Sequence, residues 1–166
     1  MIEQEEKTKR PTFLVVLVVL SMISLVLTFF SSLLNLMSGP MQEEVLETFT
    51  ATQYESIAVL RDLGSDGMAN FLEQIIQMSV YQNNEIFVSS NGVSFIASIL
   101  GIIGVMMMYR LRKLGFHLYV IYSLSPFVIY YLLFPISLIP TVMVIGSFII
   151  SLIFVLLYAR FLKLME

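Results

Sequence analysis

The sequence predicts an all-α polytopic membrane protein: four transmembrane helices, with an extracytoplasmic amphipathic helical hairpin between the first and the second. Three observations carry this. Residues 11–42, 86–109 and 114–159 contain no Asp, Glu, Lys or Arg, and together they make 102 of the 166 residues. Two prolines, Pro135 and Pro140, divide the longest of these stretches. The basic residues fall in three clusters that agree on one side of a bilayer only if there are four crossings. With 58% apolar residues and a mean hydropathy of +0.89, a soluble fold would leave its helices without charged outer faces.

Residues 1–12 read as a cytoplasmic N-terminal segment and residues 13–37 as transmembrane helix 1. The apolar run from Phe13 to Met37 exceeds the roughly 20 residues a hydrocarbon core requires. It is longer than the core of a signal peptide, and no small-x-small cleavage site follows it, so it reads as an uncleaved anchor. Ser38-Gly39-Pro40 supplies the stop. Residues 38–86 form the extracytoplasmic acidic hairpin. They carry eight acids (Glu43, Glu44, Glu47, Glu55, Asp62, Asp66, Glu73, Glu85) against one base, Arg61. Val45, Leu46, Phe49, Ile57 and Leu60 recur at helical spacing, and Gly64-Ser65-Asp66-Gly67 breaks that helix, with Asp66 as a cap for the next. Met68, Phe71, Leu72, Ile75, Ile76 and Met78 give the second helix its apolar face. Gln82-Asn83-Asn84 reads as the turn into the following span. A hairpin of this size holds little core of its own. It is expected either to rest on the membrane surface or the spans, or to dock a partner. Its acids lack the spacing of a calcium loop.

Transmembrane helix 2 is assigned to residues 87–109 and a basic cytoplasmic loop to 110–115. The third stretch, 46 residues long, is roughly twice what one crossing requires at about 1.5 Å per residue. Pro135 and Pro140 bracket an outer turn, 135–140, because two prolines five apart cannot both sit inside a regular helix. Transmembrane helix 3 then covers 116–134, transmembrane helix 4 covers 141–159, and 160–166 form a cytoplasmic tail. The two last spans are expected to make a tight hairpin with little polar signal, facing lipid or adding bulk. Lys7, Lys9 and Arg10 precede span one; Arg110, Arg112 and Lys113 follow span two; Arg160 and Lys163 follow span four. Four spans put all eight on one side, so the positive-inside rule sets both termini in the cytoplasm of a bacterial inner (plasma) membrane.

Two polar faces stand out. In span one, Ser21, Ser24, Thr28, Ser31, Ser32 and Asn35 lie within an arc of about 100° at 3.6 residues per turn. In span two, Ser90, Asn91, Ser94, Ala97, Ser98, Gly101 and Gly104 share a face with small-xxx-small spacing. Small hydroxylated residues let helices approach closely and bond across the gap. The expectation is that spans one and two pack through these faces, with Asn35 near Asn91. Pro126 interrupts span three, removing the bond to Tyr122 and kinking the helix, with Ser123 or Ser125 available to the freed carbonyls. Tyr109, Tyr119 and Tyr158 read as an inner aromatic belt, and Tyr130 and Tyr131 as an outer one.

Chemistry is conspicuously thin. Cysteine is absent, which removes thiol catalysis, thiolate metal sites and disulfides. No ionisable residue lies deep in a span, which argues against proton relays, ion-coupled carriers and voltage sensors. The one histidine, His117, sits at the inner surface, and Met106-Met107-Met108 point in three directions on a helix. No catalytic, cofactor or metal residue is assigned, no basic patch suits nucleic acid, and no enzyme activity is expected. The expected partners are the lipid bilayer and other membrane subunits or further copies of the chain. The leading expectation is a non-catalytic membrane subunit or scaffold of a larger complex. The alternatives are a homo-oligomeric channel or facilitator for small neutral solutes and a lipid- or apolar-ligand-binding protein.

Overall fold

A computed structural model describes residues 11–166. Among them there are six α-helices: α1 Thr12–Ser38, α2 Glu43–Asp62, α3 Asp66–Asn84, α4 Phe87–Tyr109, α5 Lys113–Leu133 and α6 Thr141–Ala159, with short 3-10 turns at Ile136–Leu138 and Leu162–Leu164. The fold is all-helical, and α1, α4, α5 and α6 are long and apolar enough to cross a membrane. Lys7, Lys9 and Arg10 lie outside the described residues.

Local chemistry explains the ends. α1 starts directly after Pro11, whose fixed φ suits a helix entry, and stops at Gly39, which holds φ +77° ahead of Pro40. α5 is displaced from the 116–134 expected from sequence. It begins three residues earlier because Arg112 is extended and nothing after it blocks a helix, so Lys113 and Leu114 are helical and not loop. It ends at Leu133 because Phe134 precedes Pro135 and is held extended. α4 closes in a Schellman turn. The Arg112 amide donates to the Met107 carbonyl and the Leu111 amide to that of Met108, both at 2.9 Å. Leu111 occupies the left-handed position of that turn, φ +60°, at a cost of about 1–2 kcal/mol for a non-glycine residue.

α4 is the central helix. It packs against α5 most extensively and against α1 next, whereas α6 touches α5 and α1 sparingly. The expectation that the third span merely adds bulk is therefore corrected. Gly104 of α4 and Gly115 of α5 bring the two backbones into contact: a Cβ at Gly115 would lie 2.5 Å from the Gly104 carbonyl oxygen and 2.6 Å from the Met108 nitrogen. Gly101 is covered by Leu25 of α1 and Tyr122 of α5. The core beside this crossing gathers Leu14, Leu17, Val18 and Leu25 of α1, Val105 and Met108 of α4, Tyr119 of α5, Tyr158 of α6, and Met165. Residues 162–166 fold back under the bundle. The Lys113 amide donates to the Glu166 carbonyl and the Glu166 amide to the Leu111 carbonyl, each at 2.8 Å.

These contacts gather the start of α1, the end of α4, the start of α5 and the end of α6 at one end of the bundle. Phe13 and Phe161 confirm the neighbourhood, with ring centroids 6.1 Å apart. Arg110, Arg112, Lys113, Arg160 and Lys163 are all exposed there. The α2–α3 hairpin sits at the opposite end. α3 is seated on the bundle by Asn83, which accepts from the Met41 amide at 2.7 Å and donates to the Met41 carbonyl at 3.2 Å. Tyr81 adds a ring contact to Phe134 at 5.7 Å. Gln82-Asn83-Asn84 is thus the last turn of α3 and no loop. An Asn-rich stretch stays helical here because a side-chain amide satisfies the backbone of the α1–α2 linker.

α2 packs chiefly on α3 around Ile57, Ala69 and Ile76, supported by Leu60, Leu72 and Val80. The exposed Arg61–Glu73 ion pair, 2.6 Å, adds at most about 1 kcal/mol. Asp66 is the first residue of α3; Ser65 holds the cap position, without a side-chain cap bond. Asp66 contributes as a negative charge beside the helix N-terminus instead. The α2–α3 turn depends on Gly64 at φ +73°, where the Ser65 amide donates to Leu60 and the Gly64 amide to Arg61, both at 2.9 Å. Gly64→Ala is expected to cost about 1–2 kcal/mol by backbone strain alone, since open space surrounds that position. A thermal melt of the variant in mild detergent checks this.

Candidate functional site

The polar residues of the membrane helices divide into three groups by what they touch. At the hairpin end, Asn35 Nδ2 donates to Asn91 Oδ1 at 3.0 Å. Asn91 Nδ2 in turn donates to the Phe87 carbonyl at 2.9 Å. Two uncharged amides so placed tie α1 to α4 without the desolvation a charge would suffer. The stacked rings of Phe29 and Phe95, 5.0 Å apart, extend the same contact. Ser90, Asn91, Ala97, Ser98, Gly101 and Gly104 are buried on α4, and Ser94 is half-buried.

The α1 stripe does not form one seam against α4. Ser21 and Ser32 are buried, Thr28 is half-buried, and Ser24, Ser31 and Asn35 are exposed. Much of the α1–α4 contact is made instead by residues beside the stripe, Leu25 and Phe29. The stripe's lower members turn toward α5 and α6. Tyr158 of α6 donates its hydroxyl to Ser21 Oγ at 3.0 Å, and the Tyr119 hydroxyl of α5 lies 3.4 Å from the same oxygen. The two tyrosine rings meet edge to face, 4.8 Å apart. Tyr119 and Tyr158 are therefore core residues and not members of an interfacial belt. Their hydroxyls can enter the bundle because one serine on α1 gives both a partner. Tyr122 brings its hydroxyl beside those of Ser24 and Thr28.

Pro126 lies within the continuous helix α5. The carbonyl it frees, that of Tyr122, accepts from Ser125 Oγ at 2.7 Å, while Ser123 Oγ donates to Tyr119 at 2.9 Å. Pro135 caps the 3-10 turn Ile136–Leu138 and Pro140 caps α6.

Two adjoining hollows beside α1 share Tyr122 and Pro126. One, about 150 Å³, lies among Ser21, Ser24, Tyr119, Ser123 and Ser151. The other, about 310 Å³, reaches from Thr28 and Tyr122 to Ser90, Ser94, Tyr130 and Gln82 of α3. None of the lining residues is charged. Sequence reasoning did not identify Gly115, Tyr119, Tyr122 or Tyr158 as packing residues. The first three recur at 115, 119 and 122, a helical spacing visible only if the helix is begun at Lys113. Tyr158 has no comparable sequence signal.

A second surface lies on the hairpin. Val45, Phe49, Thr52, Ser56, Val59 and Leu63 follow 4-3-4-3-4 spacing, fall within an arc of about 80°, and are all exposed. Phe49 is 44% and Leu63 73% exposed. The α3-facing residues Leu46, Ile57 and Leu60 lie about 100° around the helix. Val45 and Phe49 thus leave the single apolar face expected from sequence and belong to another. Glu44, Glu55 and Asp62 border the exposed seam on its far flank.

Among the described residues no group of His, Cys, Asp and Glu is placed to hold a metal ion, and His117 is exposed, with Nδ1 3.1 Å from the Lys113 carbonyl of its own helix. Comparison with protein-family models, with curated proteins and with solved structures finds no match to the chain.

Proposed function

We propose that the chain is a non-catalytic integral membrane subunit or scaffold of a larger bacterial inner-membrane complex, with both termini cytoplasmic and the α2–α3 hairpin outside. The observation that carries this reading is the unpartnered seam on α2. α3 covers the face of Leu46, Ile57 and Leu60, and a second, partly apolar face of Val45, Phe49, Val59 and Leu63 with Thr52 and Ser56 between them is left exposed. Surface-lying helices are typically rich in Lys and Arg on their polar side. This hairpin is acidic and lacks such a basic side, so a protein partner suits the seam better than a lipid surface. The polar groups of the spans support the same reading, since many of them bond to their own helices or across α1, α4, α5 and α6, which is what holding a bundle together requires. Clustering of Arg110, Arg112, Lys113, Arg160 and Lys163 at the end away from the hairpin supports the orientation.

The test is purification from native membranes in mild detergent. A stoichiometric partner chain is expected to co-purify, and the double variant Phe49→Glu, Val59→Glu is expected to reduce its recovery at least about tenfold, the loss of a central aromatic anchor being worth about 2 kcal/mol or more. The thermal melt of the isolated chain stays unchanged, because both residues are exposed. A discrete homo-oligomer that passes neutral solutes into liposomes overturns the proposal.

A further inference from the structure

We propose that the hollow between α1, α3, α4 and α5 binds an uncharged amphiphile with a hydroxyl-bearing headgroup, of the acylglycerol or long-chain alcohol class. This inference stands apart from the docking role of the hairpin. The hollow measures about 310 Å³, at the lower bound of ligand pockets, about 300–1,000 Å³. Its polar lining separates into two kinds. Thr28, Ser90 and Ser125 donate their hydroxyls to carbonyls of their own helices, at 3.0, 3.2 and 2.7 Å, and retain only acceptor capacity. The side chains of Gln82, Ser94 and Tyr130 make no hydrogen bond within the described residues, and none of their polar atoms is fully buried. All three line the hollow, and they supply both donors and acceptors.

Depth and charge select the ligand. Ser94 lies seven residues, about 11 Å, along α4 from Phe87, and Pro126 a similar distance from the end of α5. The hollow thus runs from the hairpin end toward the middle of the spans. Polar groups at that depth need a partner, because hydrocarbon offers none. No lysine, arginine or histidine lines the site. A phosphate headgroup would enter without a counter-charge, at a cost its few neutral hydrogen bonds do not offset. A hydroxylated neutral head matches donors to acceptors. Met78, Ile129, Phe134 and Met143 supply the apolar wall, and the smaller hollow beyond Tyr122 extends the path for a chain.

The experiment uses the full chain in phosphatidylcholine nanodiscs with three diazirine probes of equal chain length: a monoacylglycerol, a phosphatidate and a headless alkane. The monoacylglycerol is expected to label α4 and α5 at least about fivefold above the other two. Tyr130→Phe removes one hydroxyl and is expected to lower its labelling about fivefold, the worth of one hydrogen bond in affinity. Ser94→Leu fills the hollow and is expected to abolish labelling; should that variant fail to fold, Tyr130→Phe decides alone. Equal labelling by all three probes, preference for the phosphatidate, or unchanged labelling in Tyr130→Phe overturns the proposal.

Discussion

Gly115→Ala is expected to destabilise the protein by about 1–3 kcal/mol, and Gly115→Leu to prevent α4 and α5 from meeting at all. The reason is the identity of the atoms a methyl group would strike. At Gly115 they are backbone: the Gly104 carbonyl oxygen at 2.5 Å and the Met108 nitrogen at 2.6 Å, with Met107 Cβ at 2.7 Å. A side chain can rotate away from an added atom, but two helix backbones can only separate. Separation forfeits dispersion along the most extensive interface of the bundle. Within a bilayer that loss has little hydrophobic compensation, because lipid tails cover the parted surfaces as well as a helix does. Gly92 provides the control. It lies in α4, nothing stands within 4 Å of the Cβ an alanine would add, and Gly92→Ala is expected to be neutral or to stabilise by up to about 1 kcal/mol through the helix preference of alanine. Thermal unfolding by circular dichroism in one detergent compares the two alanine variants with the unsubstituted chain. Gly115→Ala melting together with the unsubstituted chain would sink the close-crossing account.

The same glycine marks the limit of what the sequence could tell. Charge-free stretches, the Pro135 and Pro140 pair and the glycine at the α2–α3 turn are local or length-based signals. They report the fold class directly, because solvation in hydrocarbon acts on each residue separately. Which face of a helix meets which neighbour is not local. The serines of α1 lie on one side at helical spacing, but the pattern cannot say whether α4, α5 or a hollow lies opposite. Ser21 is taken by two tyrosines from other helices, while Ser24 and Ser31 remain exposed. Tyr119 and Tyr158 have an interfacial reading from sequence because tyrosine near a span end is usually wetted; only the presence of Ser21 between them makes the buried alternative affordable. The second seam of α2 was visible as spacing in principle. It became distinguishable from the first only when α3 was seen to cover Leu46 and Ile57 and leave Phe49 bare.

Tyr158 carries the other large expected effect. Tyr158→Ala is expected to cost about 3–5 kcal/mol, as for other fully buried aromatic residues, while Tyr158→Phe costs about 1 kcal/mol. The alanine variant deletes a side chain with no exposed surface, its edge-to-face contact with Tyr119 and its bond to Ser21. The phenylalanine variant deletes only the bond and leaves Ser21 still beside the Tyr119 hydroxyl. The consequence of the larger loss is spatially specific. α6 touches α1 and α5 sparingly along its length, so Tyr158 fixes its end more than any other single residue. Met165 and the backbone pairing of Glu166 with Leu111 and Lys113 follow directly on from that end. Tyr158→Ala is therefore expected to release residues 160–166 as well, raising the rate of tryptic cleavage after Lys163, whereas Tyr158→Phe leaves that rate unchanged. Limited proteolysis of both variants in the same detergent separates the outcomes. If α6 were held by its apolar face alone, both variants would be cleaved at the rate of the unsubstituted chain. A ring-centred anchor predicts that the buried Tyr158 ring, and not the distributed contacts of α6, sets how readily the chain is cut after Lys163.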